Sequence, residues 1–266
     1  MTDPGLITRR MLLRDMGKAG LAVVVFGAAA CGGGEVTTSG ARPSTSTSAR
    51  TNTTGAGEPA TTAPPDGKGV QWQRVDLGFV SAYILYRGGE AAIVDTGVAG
   101  SEASIEAALT EIGLGWDAVG TVVLTHLHQD HQGSLPAVIA ATGESIPWFA
   151  GAADMAGIEA PTEGQAVRDG DTVFHGLDII ETPGHTPGHI AVLDPVAGVL
   201  VAGDALSGGA GRVAGPNPQF TPDMASAGAS VVKLAGFSYE VALFGHGEPV
   251  LSGASDQVVE LAATLG

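Results

Sequence analysis

Short apolar runs recur along the chain from residue 119 onward, each rich in valine, leucine or isoleucine. They cover residues 119–125, 177–182, 196–202 and 241–244. Runs of this length, bounded by glycine and polar residues, are typical of buried β-strands, because helices need longer stretches. The pattern therefore predicts four buried strands with sharply marked ends.

The first run leads directly into a dense group of polar side chains. Its members are His126, His128, Asp130 and His131, in a chain that has seven histidines in all. In an extended backbone alternate side chains share a face, so His126 and His128 can point at one ion. A turn after them would bring Asp130 and His131 to a neighbouring position. Imidazoles with a carboxylate suit zinc or a similar ion, so this stretch predicts a metal site.

The other three runs also lead into a histidine or an aspartate that has a glycine beside it. In chain order these residues are His185, Asp204 and His246. Glycine beside a ligand allows a tight turn and a close approach of the backbone to an ion. With the first group they make seven donor side chains. That number is sufficient for two ions that share one carboxylate and keep positions for water.

This order of motifs resembles the metallo-β-lactamase superfamily, and within it the motif set is similar to that of glyoxalase II. The similarity covers roughly residues 70–265 and includes the segment Ala-Ala-Ile-Val-Asp-Thr-Gly at 91–97. The resemblance implies an α/β fold, an αββα four-layer sandwich in which two sheets pack face to face with helices outside.

The resemblance further implies that the seven donors hold two divalent metal ions, with zinc expected and iron or manganese as alternatives. The first ion would be bound by His126, His128 and His185, the second by Asp130, His131 and His246, and Asp204 would bridge them. Asp95 aligns with a position that supports the metal-bearing loops. His189 repeats the Thr-Pro-Gly-His unit, and we expect it to support the site or pack beside it.

Two further polar residues receive a plain structural interpretation. His175 lies in a hairpin-like stretch without a partner motif, and we expect an ordinary surface or turn residue there. Glu248, two residues after His246, is expected to be an exposed loop acid.

Two ions that share a water would lower its pKa toward neutrality and give a metal-bridging hydroxide. Asp130 is the expected catalytic residue, because it could orient this nucleophile and accept its proton. No serine lies in a Gly-x-Ser-x-Gly segment that would indicate a serine nucleophile. The expected function is a dinuclear-metal hydrolase of a small-molecule ester, thioester or lactone.

The resemblance leaves the substrate open, because each subfamily signature is incomplete. Residues 247–266 follow His246, where glyoxalase II carries an extension with glutathione-binding residues, and Leu206-Ser-Gly follows Asp204 where lactonases commonly place a tyrosine. β-Lactam hydrolases with the same histidine string usually lack the bridging aspartate. A β-lactam hydrolase and a single-iron persulfide dioxygenase remain the alternative enzymes. A non-catalytic lipoprotein that binds metal or ligand is the alternative outside catalysis.

The N-terminal segment resembles a twin-arginine export signal with a lipidation or cleavage site, and we assign it residues 1–31. Arg9 and Arg10 precede an apolar or small stretch at 19–30, which is too short to span a membrane. Cys31 is the only cysteine and follows Ala-Ala-Ala, where bacterial lipoproteins are lipidated. We expect an exported lipoprotein on the outer side of the cytoplasmic membrane. Simple cleavage before Cys31 and secretion is the alternative.

Composition separates the remaining chain into a linker and one folded domain. Residues 32–69 are dominated by Gly, Ser, Thr, Pro and Ala, so they cannot bury enough apolar surface to order themselves. Residues 70–266 are long enough for one domain with a core. The formal net charge is −16, and this domain has few basic residues, which argues against a nucleic-acid partner.

Overall fold

The computed structural model describes residues 69–143 and 146–265. Within these residues the chain forms thirteen β-strands and five α-helices. The predicted export segment, Cys31 and residues 32–68 of the predicted linker lie outside the described residues. Among the described helices, none combines the length and the apolar character needed to cross a membrane.

Six strands form the first sheet, and their order in space is their order in the chain. They are β1 (Gln71–Asp76), β2 (Ser81–Arg87), β3 (Glu90–Val94), β4 (Val119–Leu124), β5 (Trp148–Gly151) and β6 (Gln165–Val167). Strands β1 to β3 pair antiparallel, and β3 to β6 pair parallel. The parallel strands direct their carboxyl ends to one edge of the sheet.

The later strands are β7 (Thr172–Val173), β8 (Leu177–Glu181), β9 (Ile190–Asp194), β10 (Val199–Val201), β11 (Ser207–Gly209), β12 (Arg212–Ala214) and β13 (Val241–Leu243). Five of them form a second sheet in the order β13-β10-β9-β8-β7, and β11 with β12 forms a separate hairpin. Strands β13 and β10 pair parallel, whereas the other pairs of this sheet are antiparallel. The helices are α1 (Glu102–Glu111), α2 (Gln129–Gln132), α3 (Leu135–Ala141), α4 (Met224–Leu234) and α5 (Ala254–Ala263).

Successive residues of the central strands face different apolar layers, because side chains alternate along a strand. In β2, Ile84 packs in the cluster that contains Ile105 of α1 and Leu135 of α3. Its neighbour Leu85 packs instead with Val192 of β9, between the two sheets. The first sheet therefore has helices on one face and the second sheet on the other.

The second sheet is covered in the same way. In β9, Val192 faces the layer between the sheets, whereas Leu193 packs with Val231 of α4 and Val258 of α5. Three apolar layers therefore separate four layers of secondary structure, which confirms the predicted αββα sandwich. Burial on both faces also explains why the central strands read as continuous apolar runs.

One predicted strand is shorter than its apolar run. The run at 196–202 is a strand only over Val199–Val201. Val196 and Ala197 belong to the turn from β9, where their backbone N–H groups donate to the Asp194 carboxylate at 2.7 and 3.0 Å. Gly198 completes the turn with φ +67°. Apolarity alone could not reveal this turn, because its signal is one aspartate and one glycine.

Two hydrogen bonds join the sheets near the ends of their strands. The N–H of Ile190 in β9 donates to the carbonyl of Thr125, at the end of β4, at 2.8 Å. The hydroxyl of buried Tyr83 in β2 donates to the carbonyl of Phe244, after β13, at 2.8 Å. His126 is the next residue after Thr125, and His246 follows Phe244 after one glycine, so the bonds fix the two sheets where the predicted ligands begin.

Candidate metal centre

The fold brings all seven predicted metal ligands together at the ends of strands β4, β8, β10 and β13. Three groups each place their donor atoms within 4.8 Å of one another. The groups are His126 with His128 and His185, His126 with His131 and Asp204, and Asp130 with His131 and His246. Because His126 and His131 occur in two groups each, the seven residues form one continuous cluster.

Asp204 lies between the two sets of predicted ligands. Its Oδ2 atom is 3.2 Å from Nε2 of His185 and 3.3 Å from Nε2 of His246. Its other oxygen, Oδ1, is 3.5 Å from Nε2 of His131. One carboxylate therefore contacts members of both sets, which is the arrangement that a bridging ligand requires.

Glycine is needed for this close approach. A Cβ atom on Gly245 would lie 2.2 Å from Oδ1 of Asp204 and 2.5 Å from Cε1 of His131. Any side chain at this position would displace two predicted ligands. The close packing of Asp204 and His131 therefore requires glycine at the position before His246.

Four of the clustered histidines turn Nδ1 outward to an oxygen and Nε2 toward the cluster. They are His126, His131, His185 and His246. Their outer partners, in the same order, are the Thr125 hydroxyl, the Asp95 carboxylate, the Thr221 hydroxyl and the Phe79 carbonyl, at 3.0, 2.8, 3.4 and 2.6 Å. A carbonyl or carboxylate can only accept, so it places the proton on Nδ1 and leaves the Nε2 lone pair for a ligand role.

His128 presents the opposite nitrogen. Its Nδ1 lies 3.1 Å from Nε2 of His126 and 2.9 Å from Nε2 of His185. Three imidazole nitrogens thus converge on one point. Three neutral imidazoles so placed are a donor set that zinc and similar ions accept.

Asp95 organises the buried side of the cluster from the end of β3. Its carboxylate accepts hydrogen bonds from the N–H and the hydroxyl of Thr125 and from Nδ1 of His131, all at 2.8 Å. Because the Thr125 hydroxyl gives its proton to Asp95, it accepts one from Nδ1 of His126. Asp95 itself has a positive φ of 63°. A single carboxylate therefore orients two histidines of the cluster.

His189 is fully buried and lies outside the three donor groups. Its Nε2 accepts the backbone N–H of Asp204 at 3.0 Å, so Nδ1 carries the proton and donates to the Thr182 hydroxyl at 2.7 Å. Both ring nitrogens are occupied by protein groups. His189 therefore holds the Asp204 backbone and does not present a free lone pair.

Two buried polar atoms of the cluster have no hydrogen-bond partner among the described residues: Nε2 of His131 and Oδ1 of Asp204. Leaving such an atom unsatisfied costs about 1–3 kcal/mol. Both are electron-pair donors, and both belong to the predicted ligand set. A cation would satisfy both at once, so the residues present fit a metal ion.

Burial suppresses the charged form of the inner histidines. It holds the pKa of His126 well below its usual value, and lowers the pKa of His185 to about 4 and that of His189 to about 3. Burial also acts on His131, but the Asp95 carboxylate beside it raises the pKa of that imidazole. Neutral imidazole is the form that binds metal, so burial prepares His126 and His185 for this role.

The outer residues of the cluster, His246, Asp130 and Asp204, shift one another's pKa values. Hydrogen bonds to Asp130 and Asp204 raise the pKa of His246 to about 10. The same hydrogen bond from His246 lowers the pKa of Asp130. Burial would raise the pKa of Asp204, but the bond from His246 and the His131 charge outweigh it and lower that pKa. The two carboxylates therefore stabilise positive charge at Nε2 of His246.

Five of the predicted ligands line an open cavity of about 510 Å³. They are His128, Asp130, His185, Asp204 and His246. A second cavity of about 230 Å³ shares three of these residues and extends toward Ser207 and Asn217. His126 and His131, by contrast, are fully buried. A small molecule can therefore reach one side of the cluster only.

Sequence reasoning missed Asp154, which is fully buried. Its carboxylate accepts from the N–H of Leu127 at 3.1 Å, the hydroxyl of Thr186 at 2.5 Å and the N–H of Gly188 at 2.7 Å. It therefore ties the loop of His126 and His128 to the loop of His185. No local motif surrounds Asp154, so only the folded chain reveals it.

The two residues given a plain interpretation lie apart from the donor groups. His175 occupies a turn with φ 56° and pairs with Glu90 at 2.7 Å. Glu248 has 70% of its side chain exposed and pairs with Arg74 at 2.7 Å. Both positions match the expectation of a turn residue and an exposed loop acid.

Comparison with known proteins agrees with this fold and cluster. The family profile described as the Metallo-beta-lactamase superfamily matches residues 75–246, and the chain therefore belongs to that superfamily. The match begins in β1 and ends at His246, so it includes every predicted metal ligand.

Its relatives in sequence are named as hydrolases. The chain is 36% identical over 148 residues to the hydroxyacylglutathione hydrolase of Cupriavidus metallidurans, across 49% of this chain and 51% of that protein. It is 30% identical over 170 residues to the probable metallo-hydrolase YflN of Bacillus subtilis, across 48% of this chain and 64% of that protein. The chain thus spans between about half and two thirds of the length of these relatives.

Solved structures share the fold at lower identity. The metallo-beta-lactamase family protein TTHA1429 of Thermus thermophilus is 24% identical, with a TM-score of 0.57 over 74% of this chain and 79% of that chain. The BLEG-1 B3 metallo-beta-lactamase is 23% identical, with a TM-score of 0.59 over 73% of this chain and 99% of that chain. These similarities support the fold alone.

Proposed function

We propose that this chain is a dinuclear-metal hydrolase of a small ester, thioester or lactone. The observation that carries the proposal is the position of Asp204, whose carboxylate contacts His131, His185 and His246. A chain that used this scaffold only for packing would have no reason to gather seven electron-pair donors into one cluster, five of them lining an open cavity. Zinc is the metal we propose, with iron or manganese as alternatives, because the donors are imidazoles and carboxylates.

In this proposal the seven residues divide as the donor groups suggest. The first ion takes His126, His128 and His185, the second takes Asp130, His131 and His246, and Asp204 serves both. Two bound cations would lower the pKa of a shared water and polarise the carbonyl of the substrate. Asp95 and His189 act as supports, since the first fixes His131 and the second fixes the Asp204 backbone.

Asp130 is the residue we propose to handle the proton. Its side chain is 29% exposed and lines the cavity, and Oδ2 lies 3.3 Å from Nε2 of His246. From this position it would orient the attacking water and accept its proton as the bond to the carbonyl carbon forms. The proton could then pass to the leaving oxygen or sulfur, which lies in the same cavity.

The relatives in sequence favour carboxyl ester-type substrates. Hydroxyacylglutathione, in the name of the Cupriavidus relative, is a thioester. The structural neighbours named as β-lactamases are below 25% identical, so they do not favour a β-lactam over an ester. A small ester or thioester is therefore the proposed substrate class.

Metal analysis and an ester panel test this function on the full-length protein. We expect about two ions per chain and hydrolysis of p-nitrophenyl acetate or an S-acyl thioester. The double variant His126→Ala, His128→Ala should lose hydrolysis and at least one ion, because both substitutions remove ligands. His175→Ala is the matched control, since His175 pairs with Glu90 and lies outside the donor groups. A double variant with unchanged metal content and hydrolysis would refute the assignment.

We also propose that the protein is exported and anchored through lipidated Cys31, with cleavage before Cys31 and secretion as the alternative. The basis is the twin-arginine segment and the single cysteine in the sequence. Cys31→Ser should move the protein from the membrane fraction to the soluble fraction without changing hydrolysis. Continued partition into detergent would show that another attachment holds it.

A further inference from the structure

Two phenylalanines border the cavity of the candidate metal centre. Phe79, between β1 and β2, and Phe220, before α4, are each 63% exposed. Both line the cavity of about 510 Å³, and Phe220 also lines the second cavity. No other exposed large apolar side chain in residues 69–143 and 146–265 is aromatic. A single exposed apolar side chain is ordinary, but two exposed phenylalanines that line the same cavity indicate a binding surface.

Each ring is held beside a different predicted ligand. The Phe79 carbonyl accepts the Nδ1 proton of His246, and the two rings stack at 19° with centroids 6.3 Å apart. Phe220 precedes Thr221, whose buried hydroxyl is 3.4 Å from Nδ1 of His185. His185 and His246 both contact Asp204, so the two phenylalanines belong to segments that contact two partners of the same carboxylate.

No lysine or arginine side chain from the described part of the chain lines this cavity. The basic residues there are Arg74, Arg87, Arg168, Arg212 and Lys233, and neither cavity is lined by any of them. Arg74, Arg212 and Lys233 instead form ion pairs with carboxylates elsewhere. A substrate with carboxylates remote from its scissile bond would find no counter-charge on these walls.

We propose that the substrate is a neutral ester or thioester with an apolar acyl chain, held between Phe79 and Phe220. This inference rests on the hydrolase function proposed above and narrows its substrate class. The two rings would pack against the acyl chain of the substrate and remove its apolar surface from water. The predicted ligands that line the cavity would face the scissile carbonyl. A thioester of the glutathione type, which carries two carboxylates, would meet no lysine or arginine on either wall.

A series of p-nitrophenyl esters tests the proposal with the full-length, metal-loaded protein. The esters are acetate, butyrate, hexanoate and the hemiester of glutarate, which matches the length of hexanoate but ends in a carboxylate. After correction for spontaneous hydrolysis, kcat/KM for hexanoate should exceed that for acetate and for glutarate by about tenfold or more, given about 0.8 kcal/mol per buried methylene.

If the two rings bind the acyl chain, removing either ring should weaken the preference for hexanoate over acetate. Phe79→Ala and Phe220→Ala should each reduce the hexanoate-to-acetate ratio of kcat/KM by about fivefold. Leu251→Ala is the matched control, because Leu251 is 62% exposed but lines neither cavity. The control should leave the ratio unchanged.

A binding measurement tests the site for the apolar acyl chain separately from the hydrolase function. Hexanohydroxamate should bind the metal-loaded protein about tenfold more tightly than acetohydroxamate, and the phenylalanine variants should reduce this difference. Hydrolysis of all four esters without a preference for hexanoate, or a preference that survives both variants, would overturn the inference and leave the hydrolase function standing. Absence of metal binding and of hydrolysis would overturn both.

Discussion

The candidate site has a buried side and a cavity side, and the two are held in different ways. Asp95, His126, His131 and His189 are all at least 98% buried, and none of them lines the cavity. Their orienting partners are other buried protein groups, such as the Thr125 and Thr182 hydroxyls. The cavity side instead consists of residues with one face open to a small molecule, such as Asp130 and His246.

This difference indicates a division of labour. Hydrogen bonds on the buried side fix ring orientation and the protonated nitrogen before any ion arrives, which lowers the cost of assembling the ligands. The cavity side is open to water and small molecules, so its groups can exchange protons with them. Substitutions on the buried side should therefore change folding stability and metal affinity together. Substitutions on the cavity side should change turnover with less effect on folding.

The largest effect is expected for Asp204, because it belongs to the cavity side but contacts both donor sets. Asp204→Ala should reduce metal content to one ion per chain or fewer, since its loss leaves two cations with less compensating charge. Hydrolysis should fall by more than the roughly 10–100-fold that outer-sphere substitutions cost. Elemental analysis and kcat/KM on one ester measure both quantities.

Asp130→Ala is the informative comparison for Asp204→Ala. Asp130 contacts only the second donor set, so this variant should retain more metal yet lose most of its turnover. Equal metal occupancy in the two variants would contradict the bridging position of Asp204.

An intermediate effect is expected for Asp95→Asn on the buried side. Asparagine keeps the shape but replaces one acceptor oxygen with a donor, so either Thr125 or His131 loses its partner. Metal affinity should fall by about 10–100-fold, and the free energy of unfolding of the metal-free protein should fall by about 1–3 kcal/mol. Metal titration and urea unfolding measure the two effects.

The control for Asp95→Asn is Asp171→Asn. Asp171 accepts the N–H of Arg168 in an exposed turn, so it should change neither quantity appreciably. A variant Asp95→Asn that binds metal normally and unfolds at the wild-type urea concentration would remove the distinction between the buried and cavity sides.

The predicted ligands could be brought to one cluster from the sequence because each of them lies within a few residues of the end of an apolar run. A strand end fixes where the next side chain lies, so local order along the chain carries over into space. His126, Asp204 and His246 could therefore be placed from sequence pattern and family resemblance. The four-layer fold followed from the same resemblance, and the alternation of Ile84 and Leu85 between two apolar layers shows its physical basis.

Asp154 and the two phenylalanines at the cavity could not be placed in this way. Asp154 contacts Leu127 and Gly188 across a long stretch of chain, and no nearby residue in the sequence signals those contacts. No sequence signal singles out Phe79 and Phe220, because composition does not reveal which aromatic side chains remain exposed. Long-range packing decides both features, and it becomes visible only when the two sheets are assembled.

The smallest effect on the buried side is expected for Thr182→Val. Valine keeps the shape of threonine but removes the hydroxyl that accepts the Nδ1 proton of His189 at 2.7 Å. The imidazole then has one buried donor without a partner, which should lower the free energy of unfolding by about 1–3 kcal/mol. Because Nε2 of His189 still accepts the N–H of Asp204, metal content should remain unchanged and kcat/KM should fall by less than about tenfold. Thr110→Val is the control, since the Thr110 hydroxyl bonds a helix carbonyl at an exposed position. Metal loss as large as that of Asp204→Ala would mean that His189 acts as a ligand rather than as a support for the Asp204 backbone.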